Sequence, residues 1–237
     1  MEPQIEISVV VPAYQEAEDI VQVLDRLCET LNRKFENFEI IVVADGCTDG
    51  TETRAAAHSD SRIKVLSYQP NRGKGYALKH GAKEATGKYV AFCDGDLDIH
   101  PDSISVLYDL LKLENAEAVV GSKMHPNSIV DYPKFRRIQS RIFRAIVRIL
   151  FDLKVTDTQT GLKVFLGAAL RDEIQKVDVE GFAFDLELLI RMSKNYKIIE
   201  GPVWLSYRFK SSINIQVPFK MLRDCFEIRS RRSREQW

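Results

Sequence analysis

Ile5-Glu6-Ile7-Ser8-Val9-Val10-Val11, closed by Pro12 and followed by Ala13-Tyr14-Gln15-Glu16, is the stretch on which the fold turns. A short apolar run this rich in β-branched residues reads as a strand buried on both faces, the kind a parallel sheet requires. The pattern then repeats. Ile20, Val23, Leu24, Leu27 and Leu31 recur at helical spacing, and Phe38 to Ala44 is a second strand that ends in the turn Asp45-Gly46-Cys47-Thr48-Asp49-Gly50-Thr51. Arg62 to Tyr68 reads as a third strand, Gly75 to Thr86 as a helix, Lys88 to Cys93 as a fourth strand and Ala116 to Val120 as a fifth, with Pro101 suited to the first turn of the helix between these last two. Strands alternating with helices predict an α/β protein, a Rossmann-like, mostly parallel sheet flanked by helices. Ligands of such sheets bind beyond the carboxyl ends of the strands, where the polar clusters after Val11, Ala44, Tyr68 and Cys93 fall.

Beyond residue 128 the texture changes. Phe135 to Leu153 is amphipathic and arginine-rich, Asp157 to Phe165 reads as turn then strand, Phe182 to Ser193 as helix, Lys197 to Tyr207 as strand and Val217 to Arg232 as a basic amphipathic helix. No repeat or linker separates the two parts, so one domain is expected.

Composition narrows the functional classes. Hydrophobic residues at 45% and charged residues at 29% of 237 allow a packed core. Thirty-four Lys plus Arg balance 34 Asp plus Glu, which removes the whole-chain case for a nucleic-acid binder. The balance conceals a split: residues 1–128 hold 13 basic and 21 acidic side chains, net −8, and residues 129–237 hold 21 and 13, net +8. No apolar run approaches the roughly 18 residues of a membrane span, and the start of the chain lacks the pattern of a secretion signal. Cys28, Cys47, Cys93 and Cys225 form no CxxC pair, which predicts reduced thiols in the cytoplasm rather than zinc ligands or disulfides.

The sharpest chemical signal is Asp94-Gly95-Asp96-Leu97-Asp98, three carboxylates at alternate positions directly after a buried strand. Like charges this close raise one another's pKa, and a hard divalent ion such as Mg²⁺ or Mn²⁺ resolves the conflict. The competing reading is an acidic loop that caps the helix near Pro101. Asn71-Arg72-Gly73-Lys74-Gly75 offers backbone amides and two cations to an anion at a strand-to-helix junction, although an ordinary capped turn has the same composition. Asp45, Asp49 and Glu16 are helix-capping types taken singly, and gain weight by sharing the sheet edge with the acidic loop.

Taken together, Val9 to Glu16, Val43 to Thr51, Asn71 to Gly75 and Asp94 to Asp98 resemble the family 2 glycosyltransferases of GT-A fold. Asp157-Thr158-Gln159-Thr160-Gly161-Leu162-Lys163-Val164-Phe165 and Phe182-Ala183-Phe184-Asp185-Leu186-Glu187-Leu188-Leu189 are similar to the dolichyl-phosphate glucosyltransferase and dolichyl-phosphate mannose synthase branch. The resemblance implies a nucleotide-sugar-binding half at 1–128 and an acceptor-binding half at 129–237. It puts Pro12, Tyr14, Glu16, Asp45, Lys74 and Gly95 on the donor, Asp94 by the ribose or sugar, and Asp96 and Asp98 on the metal. Lys123, Arg136, Ser140 and Arg208 would bind the phosphate of a polyprenyl or dolichyl phosphate, and Asp96, Asp98, Lys123 and Arg208 would carry the catalysis. Lys123 stands where the mannose synthases usually have Arg, and three further positions depart from the family pattern: Ala44 stands for Asp, Cys47 for Ser and Gln15 for Asn.

A phosphate monoester, with a second pKa near about 6, is already largely ionised at neutral pH and needs orientation more than a base. Arginine forks suit it. The expected reaction is inverting transfer of glucose from UDP-glucose or mannose from GDP-mannose to the lipid phosphate. A hydroxyl acceptor would instead need a base, for which Asp185 and Glu187 are the residues to watch. The Val217 to Arg232 helix either lies on a cytoplasmic membrane surface or packs on the sheet with its charges in water. Sugar-nucleotide pyrophosphorylases would have a Gly-rich loop where Pro12 to Glu16 stands, and aspartate-nucleophile phosphatases lack the carboxylate at Asp98. A binding protein without turnover is opposed by the intact Asp96 and Asp98.

Overall fold

The computed structural model describes residues 4–96, 98–130, 147–148, 150–151, 153–181, 183–205 and 216–235. A seven-stranded sheet runs through its centre, in which the third, second, first, fourth, seventh, fifth and eighth strands of the chain lie side by side in that order. β1 (Ile7–Ala13) and β2 (Phe38–Asp45) pair in parallel along their whole length, from Ile7 opposite Phe38 to Ala13 opposite Ala44. Every residue of β2 is buried, as its unbroken apolar run requires when helices cover both faces. β3 (Ile63–Tyr68) forms the half-buried edge, and β4 (Tyr89–Phe92) pairs in parallel with the other side of β1.

Alternate side chains feed two apolar layers. Val9, Val11, Ile40 and Val42 pack with α1 (Ile20–Asn32) and α4 (Asp102–Leu113) on one face. Val10, Ile41, Val43 and Phe92 face the other way, against α3 (Lys74–Glu84), α5 (Gly167–Ile174) and α6 (Phe184–Met192). The short α2 (Thr51–Ala56) adds Ala55 to the first layer. The predicted stripe of α1 is the buried one: Ile20, Leu24, Leu27 and Leu31 have no exposed surface. At the opposite edge of the sheet from the carboxyl ends, the buried Glu39 carboxylate accepts hydrogen bonds from Ser8 Oγ (2.7 Å), Thr86 N–H (2.8 Å), Thr86 Oγ1 (2.8 Å) and Lys64 Nζ (2.6 Å).

Two features differ from the sequence reading. β7 (Lys163–Leu166) enters between β4 and β5 (Ala118–Ser122) and runs antiparallel to both, with Lys163 opposite Phe92 and Val120. The strand expected over Lys197 to Tyr207 is two: β8 (Ile198–Pro202) pairs with β5 as far as Ser122 opposite Pro202, and β9 (Trp204–Leu205) pairs with β6 (Ile129–Val130) in a separate ribbon. Pro202 has no N–H to continue the ladder, so the chain changes sheets there.

The C-terminal helix α7 (Gln216–Glu235) buries Cys225 and Ile228 completely in the second apolar layer. Arg229 donates to the Leu150 carbonyl (2.5 Å) and Arg231 to Asp178 (2.7 Å). Among its described side chains the packed reading holds, with Phe226 left outward at 61% exposure. No helix of the described residues is long and apolar enough to cross a membrane. All four cysteines are free. Most of the expected 135–153 helix lies outside the described residues; Val147 and Phe151 within it are buried.

Candidate active site

The carboxyl ends of β1, β2 and β4 open into a cavity of about 1090 Å³ whose walls include Pro12, Tyr14, Glu16, Asp45, Lys74 and Asp94 to Asp96, the donor residues the sequence pointed to. β1 ends in a loop braced against the turn after β2. Gln15 adopts a left-handed conformation (φ 57°), Thr48 N–H donates to its Oε1 (2.8 Å), and Asp49 accepts from Ala17 N–H (3.0 Å) while also capping Thr51 N–H (3.0 Å). After glycine, Asn is among the residues that most readily take that backbone conformation, and at Gln15 the side chain is held by its bonds with Thr48.

Asp45 organises the next loop. Its buried carboxylate accepts from Arg72 N–H (2.7 Å), Gly73 N–H (2.9 Å) and Asn71 Nδ2 (3.0 Å). Gly73 has φ 100°, a conformation glycine tolerates, and Gly46 meets Asn71 so closely that a Cβ would lie 2.2 Å from its nitrogen. Asp45 therefore faces the cavity but acts through the 71–73 backbone, and it is this loop that presents Lys74.

Lys74 Nζ lies 2.6 Å from Asp94 Oδ1. Burial works against the Asp94 carboxylate, but the charges of Lys74, Lys163 and Lys123 outweigh it and hold its pKa below the ordinary value. Asp96 behaves in the opposite way. Desolvation within the cleft, then the charges of Asp94 and Asp98, push it up to about 6 although its side chain reaches solvent. Asp98 N–H donates to Asp96 Oδ1 (3.0 Å), turning the loop back on itself. No three potential ligands converge among the described residues. That fits a Mg²⁺ or Mn²⁺ site completed by phosphate oxygens, which takes only one or two carboxylates from the protein. Asp96 and Asp98 are the pair that could hold such an ion, whereas the Asp94 carboxylate is paired with Lys74.

On the far side of the acidic loop is a recess of about 110 Å³ bounded by Asp94, Asp96, Asp98, Lys123, Gln159 and Leu205. The loop is thus a partition between the large cavity and a smaller one that contains the predicted acceptor residue Lys123. Asp157 accepts from Lys123 N–H (3.0 Å) and so fixes the backbone of that residue. Arg136, Ser140 and Arg208 lie outside the described residues.

Asp185 and Glu187 do not present themselves as bases. Asp185 is 5% exposed in its side chain and pairs with the buried Lys163 at 2.7 Å. Glu187 has no exposed side-chain surface; it accepts from Arg191 Nη2 (3.0 Å) and from the N–H groups of Asp178 (3.1 Å) and Val179 (2.9 Å). The loop Glu187 holds, together with Asp224, Glu227 and Arg231 of α7, forms the wall of the large cavity opposite Tyr14, which the sequence did not disclose. Arg72 bridges to that wall through Glu180 (2.6 Å) while stacking on Tyr76, 3.5 Å from the ring centre. The one local hint was the i,i+4 spacing of Glu187 and Arg191.

Comparison with known proteins agrees with this geometry. The profile described as Glycosyl transferase family 2 matches residues 8–173. The chain is 30% identical over 204 residues to Glycosyltransferase AglD of Haloferax volcanii, covering 84% of this chain and 33% of that protein. It is 32% identical over 212 residues to the dolichyl-phosphate beta-glucosyltransferase of Drosophila melanogaster, covering 83% of this chain and 65% of the relative. The human protein of that name is 30% identical over 203 residues, with 79% of this chain and 63% of the relative covered. The chain therefore spans between 33% and 65% of the length of these relatives. Among solved structures, mannosyl-3-phosphoglycerate synthase from Rubrobacter xylanophilus superposes with a TM-score of 0.71 at 19% identity, over 98% of this chain and 75% of its own. Glucosyl-3-phosphoglycerate synthase from Mycobacterium tuberculosis, crystallised with Mn²⁺, UDP-glucose and phosphoglyceric acid, gives 0.68 at 21% identity, over 94% and 78%. These likenesses establish the GT-A fold. With a profile match across most of its length, and with the residues of that match gathered at one sheet edge, the chain belongs to Glycosyl transferase family 2.

Proposed function

We propose that this chain transfers glucose, with inversion, from UDP-glucose to the phosphate of a polyprenyl or dolichyl phosphate. The observation that carries the choice of acceptor is the state of Asp185 and Glu187: both are buried in ion pairs, so neither stands open to a hydroxyl that must lose its proton. A phosphate acceptor needs none removed. The names of the relatives from fly, slime mould, yeast and human favour glucose and a dolichyl phosphate over mannose.

In this reading Tyr14 and Glu16 border the nucleotide, and Asp45 shapes the amide-rich loop beside it. Lys74 and Asp94 form the floor under the sugar and diphosphate. Asp96 and Asp98 would hold Mg²⁺ or Mn²⁺, which when bound supplies positive charge to the departing diphosphate. Lys123 orients an acceptor phosphate in the smaller recess, with Arg136, Ser140 and Arg208 assigned there by resemblance. An acceptor oxygen forms a bond to the anomeric carbon from the face opposite the diphosphate; the bond from that carbon to the diphosphate oxygen breaks, and its electron pair leaves with UDP. Preorganised cations on both sides of the acidic loop lower the cost of this charge movement. A lipid acceptor also places the protein at a membrane surface, on the side facing the cytoplasm.

A second reading, transfer to a hydroxyl, is favoured by the phosphoglyceric acid in the mycobacterial neighbour. The deciding assay offers UDP-[¹⁴C]glucose or GDP-[¹⁴C]mannose with Mn²⁺ and either a short polyprenyl phosphate or 3-phosphoglycerate. Label in the organic phase from UDP-glucose is the expected result. Label only on the water-soluble acceptor would replace this proposal with the second reading.

A further inference from the structure

We infer that Lys163 and Asp185 are positioning residues for the donor: buried behind the acidic loop, they anchor the 157–163 strap so that Gly161 keeps the Asp94 carboxylate on Lys74. The inference rests on the reading of the large cavity as the nucleotide-sugar site. Lys163 is 1% exposed, and its ammonium donates to the Thr160 carbonyl (2.5 Å) as well as pairing with Asp185. It opens β7, between Phe92 of β4 and Val120 of β5, at the sheet edge where the acidic loop and Lys123 leave the flanking strands.

Two residues earlier, Gly161 is pressed against Asp94, so that a Cβ there would lie 1.9 Å from Oδ2. At the start of the strap, Asp157 holds Lys123 N–H. The strap thus touches a residue on each side of the partition, and Lys163 with Asp185 is its inner anchor. Their charges extend the surface pair inward as an alternating row, Lys74, Asp94, Lys163, Asp185. Neither Lys163 nor Asp185 borders the large cavity or the recess, so any effect on ligand must pass through Asp94 and the strap.

Stability alone does not call for this arrangement. A buried ion pair replaced by apolar side chains of similar volume is commonly neutral or more stable, whereas removal of one partner strands a charge. That contrast supplies the test. Wild type, Lys163→Met and the double variant Lys163→Met/Asp185→Leu are compared by thermal melting and by calorimetric titration with UDP and with GDP, each with Mn²⁺. The single variant is expected to melt lower and to bind the nucleotide at least about tenfold more weakly, as misplaced contacts do. The double variant is expected to recover its melting temperature to within about 3 °C of wild type and to stay about tenfold weak in binding. Recovery of both properties would overturn the inference and leave the pair a structural one, and wild-type affinity in the single variant would overturn it as well. Failure of the wild type to bind either nucleotide would instead overturn the donor reading on which the inference stands.

Discussion

Asp96 sits between two other carboxylates, and desolvation together with the charge of Asp94 pushes its pKa up to about 6 from the ordinary 3.8. Because its folded pKa is raised, the metal-free protein loses stability as pH climbs from about 3.8 to about 6 and the charge is forced on, and a bound cation restores it. The affinity for Mn²⁺ in the presence of UDP should therefore fall about tenfold per pH unit below about 6, where the ion must displace a proton. Calorimetric titration across pH 5 to 7.5 reads this directly, and Asp96→Asn should abolish the Mn²⁺-dependent part. Gly161 makes a second claim at this scale. With a Cβ that would meet Asp94 Oδ2 at 1.9 Å, Gly161→Ala must displace the carboxylate that pairs with Lys74. The expected cost is about 1–3 kcal/mol in a denaturant melt, typical of overpacking, together with weaker UDP binding.

At the scale of elements, charged side chains buried between strands and helices decide how the pieces lock. Glu39 ties β2 to β1, to edge strand β3 through Lys64, and to the turn before β4. Burial raises its pKa, but the bonds from Lys64, Ser8 and Thr86 outweigh that and leave it lowered, so its contribution is complete above about pH 4.5 and is lost as pH falls through the depressed value. Glu39→Gln should cost about 1–3 kcal/mol at pH 7, with the gap to wild type closing in acid. Arg191→Met should cost about 3 kcal/mol or more, because Glu187 would remain inside with less compensation. These locks also mark where the sequence was legible. The Val9-Val10-Val11 and Ile40-Ile41-Val42-Val43 runs announce buried strands because local composition suffices, and the loops after them announce a binding edge. The direction of β7 was not written locally, since it depends on which strands flank it. The pairing of Asp185 with Lys163 across 22 residues, and of α7 with the 178–181 wall, was equally invisible, because a carboxylate on a helix reads the same whether it faces a substrate or an interior lysine.

For the whole molecule, the two halves carry opposite net charges, −8 over residues 1–128 and +8 over residues 129–237. On the proposed function, with a cation site in the acidic half and an anionic lipid acceptor met by the basic half, binding to vesicles containing anionic lipid should be salt-sensitive, weakening markedly between about 50 and 200 mM NaCl as surface charges are screened. Sedimentation with and without phosphatidylserine measures it. The large cavity predicts a further response of the whole fold: a nucleotide present at about 100 times its Kd with Mn²⁺ should add about 2.7 kcal/mol of apparent stability, visible as a rise in melting temperature that UDP produces and GDP does not.

The backward course of β7 has a consequence for how the chain comes into being. During synthesis β4 is complete at Phe92, yet the strand that covers its open side begins only at Lys163. While the roughly 70 residues between them are added, any sheet that β1, β2 and β4 have already formed has β4 as an uncovered edge, a template for pairing with other chains. Closure of such a distant pair is slow because its loop entropy must be overcome first. The ribosome therefore finishes the loops after β1, β2 and β4 long before it supplies the strand that closes the sheet beside them.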